Sequence, residues 1–229
     1  EMSGLQTQVV TEALHAADVP RGVFNIVTGR GDTVGAALVA HPDVAKLSFT
    51  GSTAAGEQIH KAVPMTTRTQ MELGGKNPLI VMEDADLDHA VDLAIKGGLS
   101  LSGQACTGTS RILVMREVRQ AFTDKLVARV KALKIGSGMT PGMDLGPLAT
   151  RKQRETVLGY IAAGRQEATL LCGGDALTDG DFAHGYYVAP AVFTDVTQSM
   201  RIAREEIFGP VLAIIEVDSY ADAIAKAND

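Results

Sequence analysis

Between Val23 and Val63 the chain runs twice through one order: a short apolar stretch, a loop carrying glycine, and a small-residue segment with helical spacing. Residues 23–27 predict a strand, 28–33 a loop and 34–40 a helix; residues 45–49, 50–53 and 54–63 predict the same three again. A helix inserted between two short apolar strands is the crossover that parallel strands need, whereas antiparallel strands are joined by tight turns. The repeat therefore predicts an α/β fold built on a parallel sheet. A helix over residues 4–17, with Leu5, Val9, Val10, Ala13 and Leu14 on one face, precedes it.

The rhythm changes after a strand at 68–73 and the pair Gly74-Gly75. Strands are expected at 78–82, 111–115, 169–172, 186–193 and 211–217, and helices at 87–99, 117–133, 151–166 and from 220. The glycine-rich stretch 136–148 reads as an exposed loop. The domain boundary is placed where the glycine-loop units end, giving 1–73 and 74–229.

Composition narrows the function. With 45% hydrophobic and 21% charged residues the chain has the balance of a folded globular protein. A net charge of −6 with no basic run argues against nucleic acid and anionic membranes as partners. No apolar run approaches the about 18 residues of a membrane span. Two cysteines make neither a disulfide framework nor a zinc site, so a cytoplasmic, reducing compartment is expected and no metal. The opening at Glu1 and the stop at Asp229 read as those of an internal fragment.

Four segments carry chemistry. Phe49-Thr-Gly-Ser-Thr-Ala-Ala-Gly56 lies between a strand and a helix, where free helix amides and the Ser52 hydroxyl suit a phosphate. It has the glycine spacing of a P-loop, but Glu57 and Gln58 stand where lysine and serine or threonine are required, which excludes a nucleotidase. Gly29 and Gly31 form a second such loop, and the two together point evenly to plain turns or to a dinucleotide site. Arg30-Gly31-Asp32 is read as a coincidental adhesion tripeptide. Cys106 sits among small polar residues, with room for a reactive thiol, whereas Cys172 beside Leu170 and Leu171 reads as core. Glu72, between Met71 and Leu73, is expected in apolar company that raises its pKa towards that of a general base; a sheet-edge partner for Arg68 or Lys76 is the alternative. Glu205-Glu206 before Phe208-Gly209-Pro210 could hold a ribose diol, or could be a solvated helix start with a buried Phe.

Taken together and in order, Phe49-Thr-Gly-Ser-Thr, Glu72-Leu-Gly-Gly-Lys-Asn-Pro78, Gly103-Gln-Ala-Cys106 and Glu205-Glu-Ile-Phe-Gly-Pro210 resemble the signature segments of the aldehyde dehydrogenase superfamily. The resemblance implies a Rossmann-like partial cofactor-binding domain followed by an α/β catalytic domain. It implies NAD or NADP as cofactor, an aldehyde as substrate, and a homodimer or homotetramer. Cys106 would be the nucleophile, its own N–H half of an oxyanion hole, and Glu72 the base that hydrolyses the thioester. Gly51, Ser52 and Gly56 would serve the pyrophosphate, and Gly29 and Gly31 the adenosine end. Leu73 and Gly74 would face the nicotinamide, and Glu206 its ribose, with Phe208 nearby.

The family's oxyanion Asn and a cofactor-binding Lys would fall before Glu1, and the choice between NAD and NADP around it, so the 229 residues alone are expected to be inactive. Two other readings stand beside the hydrolytic one. One is a coenzyme-A-acylating or acyl-phosphate reductase relative, for which Glu72 would be superfluous. The other is a catalytically silent structural relative, which has no need to keep both Cys106 and Glu72.

Overall fold

The computed structural model describes residues 4–229, which divide into two compact units after Gly74. The α/β class is as the sequence predicts.

In the first unit, helix α1 spans Gly4–Ala16. A π-helical turn, Gly31–Gly35, runs into the short helix α2, Ala36–Val39, followed by β1 (Lys46–Thr50), α3 (Thr53–Ala62) and β2 (Arg68–Glu72). β1 and β2 are parallel, with Lys46 opposite Arg68 and Thr50 opposite Glu72. The Thr67 hydroxyl donates to the Val44 carbonyl at 2.8 Å and pins the entry to β2 beside β1.

Two expectations fail here. Residues 23–27 form no strand, and Val23 and Val27 are exposed. An extended segment needs a ladder partner for its N–H and C=O groups, and the described strands of this unit pair only with each other. The loop expected to last until Thr33 ends earlier. The Arg30 carbonyl accepts from the N–H groups of Thr33, Val34 and Gly35, so winding starts at Gly31. α1 forms where its periodicity places it, but none of its residues is buried, and Leu5, Val9 and Val10 are exposed.

The second unit contains β3 (Asn77–Val81), α4 (Leu87–Leu99), β4 (Thr109–Met115), α5 (Arg116–Lys131) and α6 (Arg151–Glu167). Then come β5 (Thr169–Cys172), β6 (Ala176–Leu177), β7 (Tyr187–Val188), β8 (Ala191–Thr194), α7 (Arg201–Arg204), β9 (Val211–Val217) and α8 (Tyr220–Asn228). One sheet has the order β3-β4-β9-β8-β5, parallel except for β5 against β8; β6 and β7 form a separate antiparallel pair.

The central strands β4 and β9 are apolar over residues 112–115 and 211–215, as a sheet covered on both faces requires. Leu113, Ala213 and Ile215 pack on one face with Val157 and Ile161 of α6 and Ile202 of α7. Ile112, Leu212 and Ile214 pack on the other with Val91 of α4 and Phe122 and Leu126 of α5. Caps start the helices: the Asp86 carboxylate accepts from Asp88 and His89 N–H, Thr150 from Gln153, and Ser219 from Asp222.

The expected strand at 186–193 is two strands in two sheets, because Pro190 lacks an N–H with which to continue a ladder. The 136–148 loop is exposed along most of its length, but Leu145 and Leu148 are core residues that fasten it down. Among the described residues no helix is long and apolar enough to cross a membrane.

Candidate functional site

In the first unit the chemistry-bearing residues gather at the C-terminal ends of the two strands. The Gly51 N–H donates to the Glu72 carbonyl at 3.0 Å, so the loop after β1 lies against the end of β2. The Phe49 ring covers Gly51; a β-carbon there would sit 2.5 Å from the ring. Ser52 caps α3, its Oγ accepting from the Ala55 N–H at 3.3 Å. The hydroxyl proton and the first amides of α3 are then left to face an anion. Gly56 is buried, and a β-carbon there would lie 2.6 Å from Leu73 Cδ2, so its bareness seats Leu73 against the helix.

Gly29 makes room for Val34, and Gly31 borders a largely apolar cavity of about 540 Å³ lined also by Leu38, Phe49 and Ile59. Arg30 and Asp32 of the adhesion-like tripeptide pair with each other at 2.7 Å, and both side chains remain exposed. Glu1 lies outside the described residues.

Glu72 is not where its sequence neighbours suggest. Its side chain is exposed, and the Gln70 amide donates to it at 3.4 Å. Strand alternation explains this: Arg68, Gln70 and Glu72 share one exposed face, while Met71 points to the other. The apolar enclosure expected from Met71 and Leu73 is absent among the described residues of this unit, and the partner found is Gln70 rather than Arg68. Leu73 is half-buried and Gly74 exposed.

In the second unit three separate segments meet around Cys106. After α4 the backbone turns left-handed at Leu101, Ser102 and Gly103 (φ 52°, 57° and 73°). The turn is tied from two sides. The buried Ser102 hydroxyl donates to the Gly146 carbonyl at 2.8 Å, and Gln104 Oε1 accepts from the Ala149 N–H at 2.9 Å. A second turn, closed by the Gly108 N–H on the Ala105 carbonyl at 2.9 Å, carries Cys106 exposed at its tip. Asn77 Nδ2 donates to the Cys106 carbonyl at 2.8 Å and to the Gly108 carbonyl at 3.3 Å, holding that turn to the start of β3.

The Gly75 N–H donates to Glu206 Oε1 at 3.3 Å. The paired acids thus part company. Arg201 grips Glu205 with two hydrogen bonds of 3.0 Å, and Tyr160 adds one of 2.7 Å. Arg201 first and Tyr160 second hold the Glu205 carboxyl down at about 2. Glu206 has neither of these two partners and accepts from the Gly75 N–H. The pair follows helix α7 rather than opening one, and Phe208 is exposed with φ 54°; Gln153 Nε2 fixes its strained backbone by donating to the Ile207 and Phe208 carbonyls. Cys172 lies in β5 partly buried, and burial pushes its thiol pKa up, as suits a packing cysteine. Among the described residues no cluster of three or more His, Cys, Asp or Glu could hold a metal.

Gly103 joins two of the motifs. A β-carbon there would fall on the Gly209 carbonyl oxygen, and its φ is left-handed. Gly103→Ala is expected to cost on the order of 3 kcal/mol by combining overpacking with backbone strain. Urea unfolding would show it as a lower midpoint at unchanged slope.

Several residues given no catalytic or cofactor role from sequence prove central: Gly75 through its N–H, Asn77, Gln104 and Lys76. All lie inside the quoted motifs, which was the available signal. Burial first, and the Arg111 guanidinium second, push the Lys76 ammonium down to about 8 from 10.5, against the pull of Glu206 and Glu205. Between those values the folded chain holds fewer protons here than the unfolded chain. This group's contribution to stability therefore rises with pH through that window, by at most about 3 kcal/mol. Lys76→Met should flatten the rise; unfolding free energies at about pH 7.5 and pH 10 would test it.

The sequence matches the aldehyde dehydrogenase family over residues 1–229. Among solved structures, the betaine aldehyde dehydrogenase of Staphylococcus aureus in complex with NAD+ is 36% identical with a TM-score of 0.93, over 97% of this chain and 44% of that one. HpcC from Thermus thermophilus is 41% identical with a TM-score of 0.94, over 97% of this chain and 44% of that one. A variant of the aldehyde dehydrogenase from Bacillus cereus is 42% identical with a TM-score of 0.90, over 95% and 44%. The chain thus spans less than half the length of these structures.

Proposed function

The chain belongs to the aldehyde dehydrogenase family, and on that premise we propose that the protein it forms oxidises an aldehyde to a carboxylic acid with a nicotinamide cofactor. The observation that carries the reading is the mounting of Cys106: exposed at a turn tip, fixed through Asn77 and, via the adjoining Gln104, on a second side.

The cofactor fits the residues. The capped N-terminus of α3, with Ser52, suits a pyrophosphate, and the apolar cavity beside Gly31 suits an adenine-sized group. Leu73 and Gly74 would lie along the nicotinamide, with the Glu206 carboxylate on its ribose and Phe208 beside it. NAD+ is the cofactor named for the Staphylococcus aureus relative, and it is the one we assign. When bound it supplies the hydride acceptor.

The protein's own steps start at the Cys106 sulfur, which bonds to the aldehyde carbon as the carbonyl electrons move to oxygen. The Cys106 N–H donates to that oxyanion. Loss of hydride from the carbon leaves a thioester on Cys106. Glu72 takes a proton from water as the water oxygen attacks; the thiolate then leaves with its electron pair and the acid is released. An exposed carboxylate is poised to exchange its proton with solvent between turnovers. A cytoplasmic homo-oligomer belongs to the same reading, as does a lack of turnover by the 229 residues alone, whose apolar α1 face is uncovered.

The test is a panel of aldehydes with NAD+ or NADP+ on the full-length protein, following reduced nicotinamide. Formation with any pair supports the reading. Formation that requires coenzyme A or phosphate would replace hydrolysis by acyl transfer, and no formation with any pair would overturn the reading.

A further inference from the structure

Among the described residues four buried side-chain polar atoms of the second unit have no hydrogen-bond partner, and two of them border one small cavity. These two are Lys76 Nζ, a donor, and Gln198 Oε1, an acceptor. The cavity measures about 50 Å³ and is completed by Arg111, Ala203, Arg204 and Asp229. Burying either atom unmet is costly, and the space exceeds the about 15 Å³ that one water needs.

The lining decides what can enter. An anion would meet the Gln198 oxygen and the Asp229 carboxylate; a cation would meet Lys76, Arg111 and Arg204. The Arg111 guanidinium is already engaged by the Lys76, Lys226 and Ala227 carbonyls, and Arg204 by Asp229. Gln198 spends its amide protons on the Lys226 carbonyl and Asp229, which fixes its oxygen as the atom left over. What remains is the Lys76 ammonium as donor and the Gln198 oxygen as acceptor, two groups that a neutral molecule able to accept and to donate would join.

We propose that an ordered water occupies this cavity, accepting from Lys76 Nζ and donating to Gln198 Oε1, and that the bridge makes Lys76 a positioning residue for the site. Lys76 stands between Gly75, whose N–H meets Glu206, and Asn77, whose amide holds the Cys106 carbonyl. Its carbonyl is held by Arg111 Nε at 2.9 Å, and the water holds the other end of the residue. The segment that orients Glu206 and the Cys106 turn is thereby clamped at both ends. The lowered basicity of Lys76 is consistent with its ammonium leaning on one water rather than on a carboxylate.

The water stands on geometry alone, while its effect on cofactor affinity rests on the dehydrogenase reading, and two measurements keep these apart. A crystal structure of the full-length protein, with a second crystal soaked in bromide, reads the cavity whether or not the protein turns over. A water within about 3 Å of both atoms supports the proposal; an empty cavity, a direct Lys76–Gln198 bond, or bromide in the cavity overturns it. In kinetics, Gln198→Leu is expected to raise the cofactor KM about tenfold with little change in kcat. Gln198→Asn, which keeps both the amide donor and the acceptor oxygen on a side chain one methylene shorter, should restore KM at least in part. Loss of kcat and KM alike in both variants, or no change in either, would overturn the positioning role.

Discussion

Replacing Cys106 by serine in the full-length protein will lower aldehyde-dependent formation of reduced nicotinamide by on the order of 10⁴-fold, with the thermal midpoint unchanged. The stability half of that expectation follows from exposure: the side chain sits at a turn tip outside both core clusters, and the bond that anchors the turn uses its backbone carbonyl. The kinetic half follows from chemistry, since an alkoxide-forming serine has no comparable access to a nucleophilic anion near neutrality. Stopped-flow absorbance on wild type and variant, with cofactor binding measured separately, checks both. A variant that keeps more than a tenth of the rate would remove Cys106 from the mechanism. Rapid alkylation of Cys106 in a protein that reduces no cofactor would point to acyl transfer, and an inert thiol to a structural protein.

Glu72→Gln should separate the two halves of the reaction. One equivalent of reduced nicotinamide forms in a burst, after which turnover falls by about 10²–10⁴-fold, the range for losing a positioned general base. The acyl group should then be found on Cys106 by mass spectrometry of the quenched protein. Because Glu72 is exposed and its amide neighbour Gln70 donates to it, the substitution is nearly isosteric and should leave folding alone. Loss of the burst itself would show that Glu72 acts before thioester hydrolysis, and unchanged turnover would take it out of the reaction.

The parts of the fold legible in the sequence are those whose signals are local. Helix α4 is framed by the Asp86 cap, and β9 is apolar at every position but Glu216; both have the bounds their residues predict. Residues 23–27 are as apolar as a strand should be, yet a strand is a property of two segments, and composition says nothing of the second. Pro190 was visible, but its effect of sending residues 187–188 and 191–194 to different sheets depends on which edges lie nearby. Glu72 shows a commoner error: adjacency in sequence was read as adjacency in space, whereas on a strand the nearest side chains are two residues away.

The site was legible as a set of residue types and not as a set of bonds. Side chains with intrinsic chemistry, such as Cys106 and Glu206, announce themselves. The Gly75 N–H that meets Glu206 across 131 positions, and the Asn77 amide that meets the Cys106 carbonyl across 29, do not. Of two adjacent glutamates, only the Arg201 and Tyr160 contacts distinguish the occupied one from the available one.

The two ties from Ser102 and Gln104 to Gly146 and Ala149 divide the neighbouring loop into parts with different freedom to change. Its base is pinned again by Asp144, which accepts from the Lys134 N–H at 2.8 Å. Everything between, residues 138–142, is exposed and fastened to little else. An epitope or fluorophore grafted at 138–142 would therefore be carried without disturbing Cys106. The same graft a few residues later, at 146–149, would pull on the backbone that presents Cys106. For anyone building a labelled or immobilised form of this protein, that difference of half a dozen positions separates a handle from a poison.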